Sequence, residues 1–141
     1  MAHPPRQAPP RRVDERGVSL SAFVATVVMA LILMGGLAID GGALSNANRE
    51  CVQVASEAAR AATDAGAERR AAGLSARPAD AWAAAQTVLS AHPGVTGEVT
   101  ITDGVVTVTT HKTISTTFLS LIRITKLSTD ARSAASLEGT G

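Results

Sequence analysis

The longest stretch free of charged residues runs from Val18 to Ile39, VSLSAFVATVVMALILMGGLAI, held between Arg16 and Asp40. At about 1.5 Å per residue these twenty-two residues reach roughly 33 Å as a helix, enough to cross a hydrocarbon core of about 30 Å. The pattern predicts a transmembrane helix. A secretory signal peptide has a shorter apolar region, about 7 to 15 residues, ending in a small-residue cleavage site. This run is longer and leads instead into Gly-Gly-Leu-Ala-Ile-Asp.

Beyond it the pattern becomes a stripe. From Leu44 to Arg70, the positions Leu44, Cys51, Val52, Ala55, Ala58, Ala59 and Ala62 recur at three- and four-residue spacing, which predicts an amphipathic helix with a thin, alanine-rich face. It either continues the membrane helix or is set off from it by a kink at Gly41 and Gly42. Gly73 ends it. Pro78, with Asp80 in the first turn, opens a second helix that closes at His92-Pro93-Gly94, with Trp82, Ala85, Val88 and Leu89 along one side. Trp82, the largest side chain after the apolar run, is expected in the core.

The segment EVTITDGVVTVTT predicts a β-hairpin, because Asp103-Gly104 is a two-residue loop signal flanked by alternating β-branched residues. Pairing Thr102 with Val105 sets Ile101 opposite Val106 and Val99 opposite Val108, all four on one face. Thr117 to Ile122 reads as a short apolar helical turn. A last strand, about Lys126 to Leu137, completes a three-stranded antiparallel sheet. The fold class expected is α+β: the N-terminal transmembrane helix with its amphipathic continuation, a second short helix and a small sheet.

Charge fixes a direction. Arg6, Arg11, Arg12 and Arg16 precede the apolar run, whereas Arg49 is the one basic residue in the twenty that follow it, so the N-terminus is expected in the cytoplasm and the C-terminal part outside. Three regions result: a disordered, proline-rich cytoplasmic leader over 1–17, the membrane helix over 18–39, and a small exported α+β domain over 40–141. With Phe23, Trp82 and Phe118 as the whole aromatic set, and alanine carrying much of the apolar count, the exported part buries little area per side chain. A protein partner is therefore expected.

A net charge of +1 without a basic face argues against nucleic acid as partner. Cys51, the one cysteine, excludes an internal disulfide and reads as a small apolar helix residue. His3, His92 and His111 have no second ligand at metal spacing and read as surface residues. No catalytic triad, phosphate-cradling loop or paired carboxylate set can be assembled, so neither enzyme activity nor a cofactor is expected. The candidate positions cluster around the apolar run instead. Gly35, Gly36, Gly41 and Gly42 permit close helix contact or a bend, or are simply tolerated at a helix end. Asp40 reads as a contact to a neighbouring subunit or interfacial cation, or, preferred here, as a solvated helix-boundary carboxylate.

Two blocks carry a family resemblance. The first, ERGVSLSAFVATVVMALILMGGLAIDGGALSNANRECVQVASEAARAATDAGA, has an Arg-Gly start, an apolar helix, a Gly-Leu-Ala-Ile-Asp-Gly exit and an alanine-rich helix. The second, TISTTFLSLIRITKLSTDARSAASL, has a Phe-Leu turn followed by an alanine-rich strand. In this order they resemble the TadE/TadG-like proteins of Tad (tight-adherence, Flp-type) pilus assembly, and cover roughly 15–67 and 113–137. The resemblance implies a single-pass, pseudopilin-like minor component or assembly factor, exported from a bacterial cytoplasmic membrane and non-catalytic. Its implied partners are other Tad pilus or secretion proteins, with homo- or hetero-oligomers formed through the N-terminal helix. It makes Arg16, Gly17 and Val18 a candidate prepilin-peptidase site. Pilin-like proteins cut there usually carry glutamate five residues after the glycine, where this chain has Ala22, which favours an uncut anchor on the TadG-like side. The family also tends to have glycine where this chain has Arg123, so a positive backbone angle there would lack its usual residue. The alternative is a membrane-anchored binding module that recognises another envelope or secretion protein through a free sheet edge.

Overall fold

The structure, a computed structural model, describes the backbone of residues 15–137 and the side chains of residues 19–137. The elements are α1 (Glu15–Ala71), α2 (Pro78–Ser90), β1 (Thr96–Thr102), β2 (Val105–Ser115), a 3-10 turn (Leu119–Ile122) and β3 (Lys126–Ser136). The fold is α+β, with an antiparallel sheet ordered β1-β2-β3. The chain divides after Gly35 into two compact units.

Of the N-terminal unit, residues 15–35 belong to α1. Its side chains from Leu20 onward are exposed on every face, Leu31 at 63 % and Met34 at 69 %. It is apolar all round and uncovered among the described residues, the pattern of a membrane-spanning helix rather than of an amphipathic surface helix. Among the described residues α1 is the one helix long and apolar enough to cross a membrane. The expected leader lies largely outside the described residues, of which 15–17 already belong to α1.

The second unit starts at Gly36 and contains the rest of α1, which runs through Gly41 and Gly42 as one helix. Glycine costs roughly 1 kcal/mol against alanine in a helix interior, yet no break appears at this pair. The buried stripe of α1 is Ala47, Cys51, Val54, Ala55, Ala58, Ala59 and Ala62. It differs from expectation at Val52, which is exposed, while Ala47 and Val54 extend the face on its other side. Val52 lies about 100° around the helix from Cys51, just beyond the margin that Ala59 still occupies. Gly73, with φ of +73°, closes α1: the Leu74 N–H donates to the Arg69 carbonyl at 2.9 Å and the Gly73 N–H to the Arg70 carbonyl at 2.9 Å. This is a Schellman stop.

The sheet has the expected register. Ile101 faces Val106, Val99 faces Val108, and Asp103 and Gly104 at φ of 50° and 74° form the type I′ turn that matches strand twist. β3 pairs along all of β2, from Val105 opposite Ser136 to Ser115 opposite Lys126. Val106 and Val108 are fully buried against the alanine stripe. Thr110 on the same face is also fully buried, and its hydroxyl donates to the Cys51 carbonyl at 2.9 Å, which satisfies it while tying β2 to α1.

α2 packs on β1 through Ala81, Ala85 and Leu89. Trp82 is not in the core as expected but 48 % exposed. Ala81, Ala85 and Leu89 form the buried face, and Trp82, about 100° around the helix from Ala81, falls just past its Leu89 margin. Leu89 seats closely on β1: a Cβ placed on Gly97 would lie 2.5 Å from its Cδ2. Asp80, in the first turn of α2, pairs with Arg69 at 3.1 Å.

Candidate functional site

The one buried acidic residue among the described residues is Asp40, the first residue after the apolar run, only 2 % exposed. Its Oδ1 accepts the Thr117 N–H at 2.8 Å, and its Oδ2 accepts the Phe118 and Leu119 N–H groups at 3.0 and 2.7 Å. These are the donors that a short helical turn leaves without partners at its start. Hydrogen bonds to the Leu119 and then the Thr117 N–H hold the Asp40 carboxyl below the usual carboxylate range, against the opposing effect of burial. The expected solvated carboxylate is corrected: Asp40 is buried, and both its oxygens accept backbone N–H groups. It clamps a segment of its own chain 77 to 79 residues away.

The clamped segment closes on itself. The Thr116 N–H donates to the Thr125 carbonyl at 3.1 Å, and its hydroxyl to the Ile124 carbonyl. The Ser120 hydroxyl donates to the Thr117 carbonyl at 2.6 Å. At the turn's end the Ile124 N–H reaches the Leu119 carbonyl at 3.1 Å and the Arg123 N–H the Ser120 carbonyl at 3.0 Å, with Arg123 left-handed at φ of 69°. The geometry that glycine normally supplies is thus present without it. Replacing Arg123 by glycine should remove the left-handed penalty, less the extra freedom glycine gains when unfolded, for a net gain of about 0.5–1 kcal/mol. Thermal unfolding of the full chain in detergent micelles should show Arg123→Gly melting a few degrees higher.

Phe118 seats the turn on the helix. Gly36 is buried beneath it, and a Cβ there would fall 2.6 Å from Phe118 Cγ and 2.9 Å from Cδ1. No side chain fits. At Gly35, Gly41 and Gly42 an added Cβ would meet nothing within 4 Å. Of the candidate positions, Gly36 and Asp40 therefore meet in one site built with Thr117, Phe118 and Leu119, whereas Gly35, Gly41 and Gly42 are open among the described residues. Arg16, Gly17 and Val18 lie in the first turn of α1, and their side chains are outside the described residues. The partners of Asp40 were not singled out by periodicity; the signal that could have found them is the pairing of the Gly-Leu-Ala-Ile-Asp-Gly exit with the Phe-Leu turn in the two quoted blocks.

Elsewhere the chemistry is structural. Cys51 is fully buried, and burial pushes its thiol above the ordinary range, which disfavours the reactive thiolate. Lys112 pairs with Glu50 at 2.6 Å, joining β2 to α1. His111 is exposed and bonds Asp130 across the β2–β3 pair at 2.5 Å, while His92 is half-buried with Nδ1 3.0 Å from the Val88 carbonyl; His3 lies outside the described residues. Among the described residues no three His, Cys, Asp or Glu side chains gather as metal ligands. A shallow groove along α1 carries Glu57, Arg60 and Asp64, all exposed. Comparison of the chain with protein-family models, with curated proteins and with solved structures returns no match.

Proposed function

We propose that the chain is a non-catalytic, membrane-anchored component of a Tad- or Flp-type pilus assembly apparatus, crossing the cytoplasmic membrane once with its N-terminus inside and its α+β unit exported. The observation that carries this reading is the Asp40 clamp. The two sequence blocks on which the resemblance rests are separate in the chain, and the clamp joins the exit of one to the turn of the other. It gives a physical reason for the blocks to occur together. The apolar, uncovered first part of α1 supports the anchor, and the arginines before it support the orientation.

In this role the protein works by packing. α1 offers Gly35, Gly41 and Gly42, open among the described residues, for close approach of a neighbouring helix, and the exported unit presents the outer edges of β1 and β3. Ala22, lacking a carboxylate, supports retention as an assembly factor over entry into a filament.

Deleting the gene and restoring it with a tagged copy tests the reading. Surface pili and adhesion should be lost and then recovered, the tagged protein should co-purify with pilus machinery, and its intact mass should retain Gly17. Unchanged pili after deletion would refute the pilus role, and co-purification with an unrelated envelope protein would favour the binding-module alternative. A mature start at Val18 would show that the leader is cut.

A further inference from the structure

The 3-10 turn is built to leave its largest side chains outside. Leu121 is 72 % exposed, Ile122 56 % and Ile124 42 %, three exposed aliphatic side chains within four residues, whereas Val52, Leu74 and Val105 are exposed singly. These three flank the residues that Asp40 and Gly36 hold. Gly36 to Ile39 are the last turn of the apolar run, so the Phe118 contact fixes the turn beside the end of that run rather than at the far side of the sheet. Arg123 stands between Ile122 and Ile124, and Lys126 begins β3; both are exposed.

We propose that the segment Leu119–Ile124 is a second membrane contact, inserting Leu121, Ile122 and Ile124 into the interfacial zone of the same bilayer that α1 crosses, with Arg123 and Lys126 at the phosphate level. This rests on the membrane reading of residues 18–39. Three observations single out lipid as the occupant. The patch follows Phe118, which sits on Gly36 in the last turn of the apolar run, where Leu37 and Ile39 are themselves exposed. Its apolar tips project from a loop in which the N–H groups of Thr117, Phe118, Leu119, Leu121, Arg123 and Ile124 are bonded within the chain, which lowers the cost of bringing this backbone to the acyl boundary. Arg123, between Ile122 and Ile124, and Lys126, just after them, match anionic headgroups with long side chains that can reach up from the acyl boundary. Asp40 does not oppose insertion, because three N–H groups surround its charge. The consequence is mechanical: a single helix can rotate and tilt freely, whereas a helix with an inserted turn clamped to its exit holds the exported unit at a fixed height and orientation on the membrane.

The test uses the full chain in vesicles of phosphatidylethanolamine and phosphatidylglycerol, spin-labelled at one site in each of Leu121→Cys, Trp82→Cys and Leu33→Cys; Cys51, being buried, stays unlabelled, as the unsubstituted chain will verify. Collisions with oxygen, which concentrates in lipid, are compared with collisions with a nickel chelate confined to water. The oxygen-to-nickel ratio at position 121 should exceed that at position 82 several-fold, approaching that at position 33. A ratio at 121 equal to that at 82, with 33 in lipid, overturns the insertion and leaves the anchor intact. A label at 121 shielded from both reagents means that a second copy covers the turn, and also overturns it. A water-accessible label at 33 removes the membrane reading and the insertion together.

Discussion

Gly36→Val should detach the Phe118 turn from α1 while leaving the sheet formed. The new side chain would occupy space already filled by the Phe118 Cβ and ring, with no flexible end able to yield, since the contact involves the base of the aromatic side chain. Overpacking of this kind costs about 1–3 kcal/mol. If the turn lifts off locally, amide exchange over Phe118–Ile124 should accelerate by roughly 5- to 150-fold, with β2 amides near Val106 and Val108 unchanged. Gly36→Ala should show a smaller effect of the same sign. The neighbouring glycines supply the contrast: Gly35→Ala, Gly41→Ala and Gly42→Ala meet nothing among the described residues and should stabilise the helix by up to about 1 kcal/mol each. Any of these three that stabilises the isolated protein yet abolishes pili marks a place where another helix packs.

Asp40→Ala should free the same turn by a different route, leaving the Thr117, Phe118 and Leu119 N–H groups without acceptors. Asn is no remedy, because an amide offers one oxygen and turns its NH2 group on donors that need acceptors. Charge-assisted bonds are about twice as strong as neutral ones, so the loss of protection should be roughly tenfold or more in either variant. The pH dependence follows from the lowered carboxyl. Folding favours the charged form, so its contribution is fully present above the unfolded carboxyl value of about 3.9 and is lost as pH falls through the lower folded value. The wild-type turn should therefore loosen on acidification below about pH 4. Asp40→Asn should be loose already at neutral pH, with no further change over that window. Exchange read on the turn amides across pH, corrected for intrinsic rates, checks both.

What the residues disclosed in advance, and what they hid, follows from the range of each interaction. The hairpin register was legible because Asp103-Gly104 fixes the turn and the strand period assigns every face, and the third strand followed from it. The helix was legible as two patterns, apolar throughout and then an alanine stripe, but its continuity through Gly41-Gly42 was not, since local propensity weighs equally for a kink. Trp82 was misplaced because size suggested the core, while the buried face of α2 runs from Ala81 to Leu89 and stops about 20° short of Trp82, a margin that the helix period alone does not decide. Asp40 was hidden for the same reason. Its acceptors face donors from a turn nearly eighty residues on, and a carboxylate at a helix boundary looks identical in sequence whether water or backbone satisfies it.

The carboxylate at the exit of the apolar run holds the Phe-Leu turn and so joins the two blocks into one element at the end of that run. Native-state hydrogen exchange at the Thr117, Phe118 and Leu119 amides, on the full chain in lipid nanodiscs at neutral pH, measures it most directly. All three should be protected in the wild type and should lose that protection together in Asp40→Asn, while the β2 amides keep theirs. Three amides that exchange freely in the wild type, or that stay protected when Asp40 is replaced, would contradict the account.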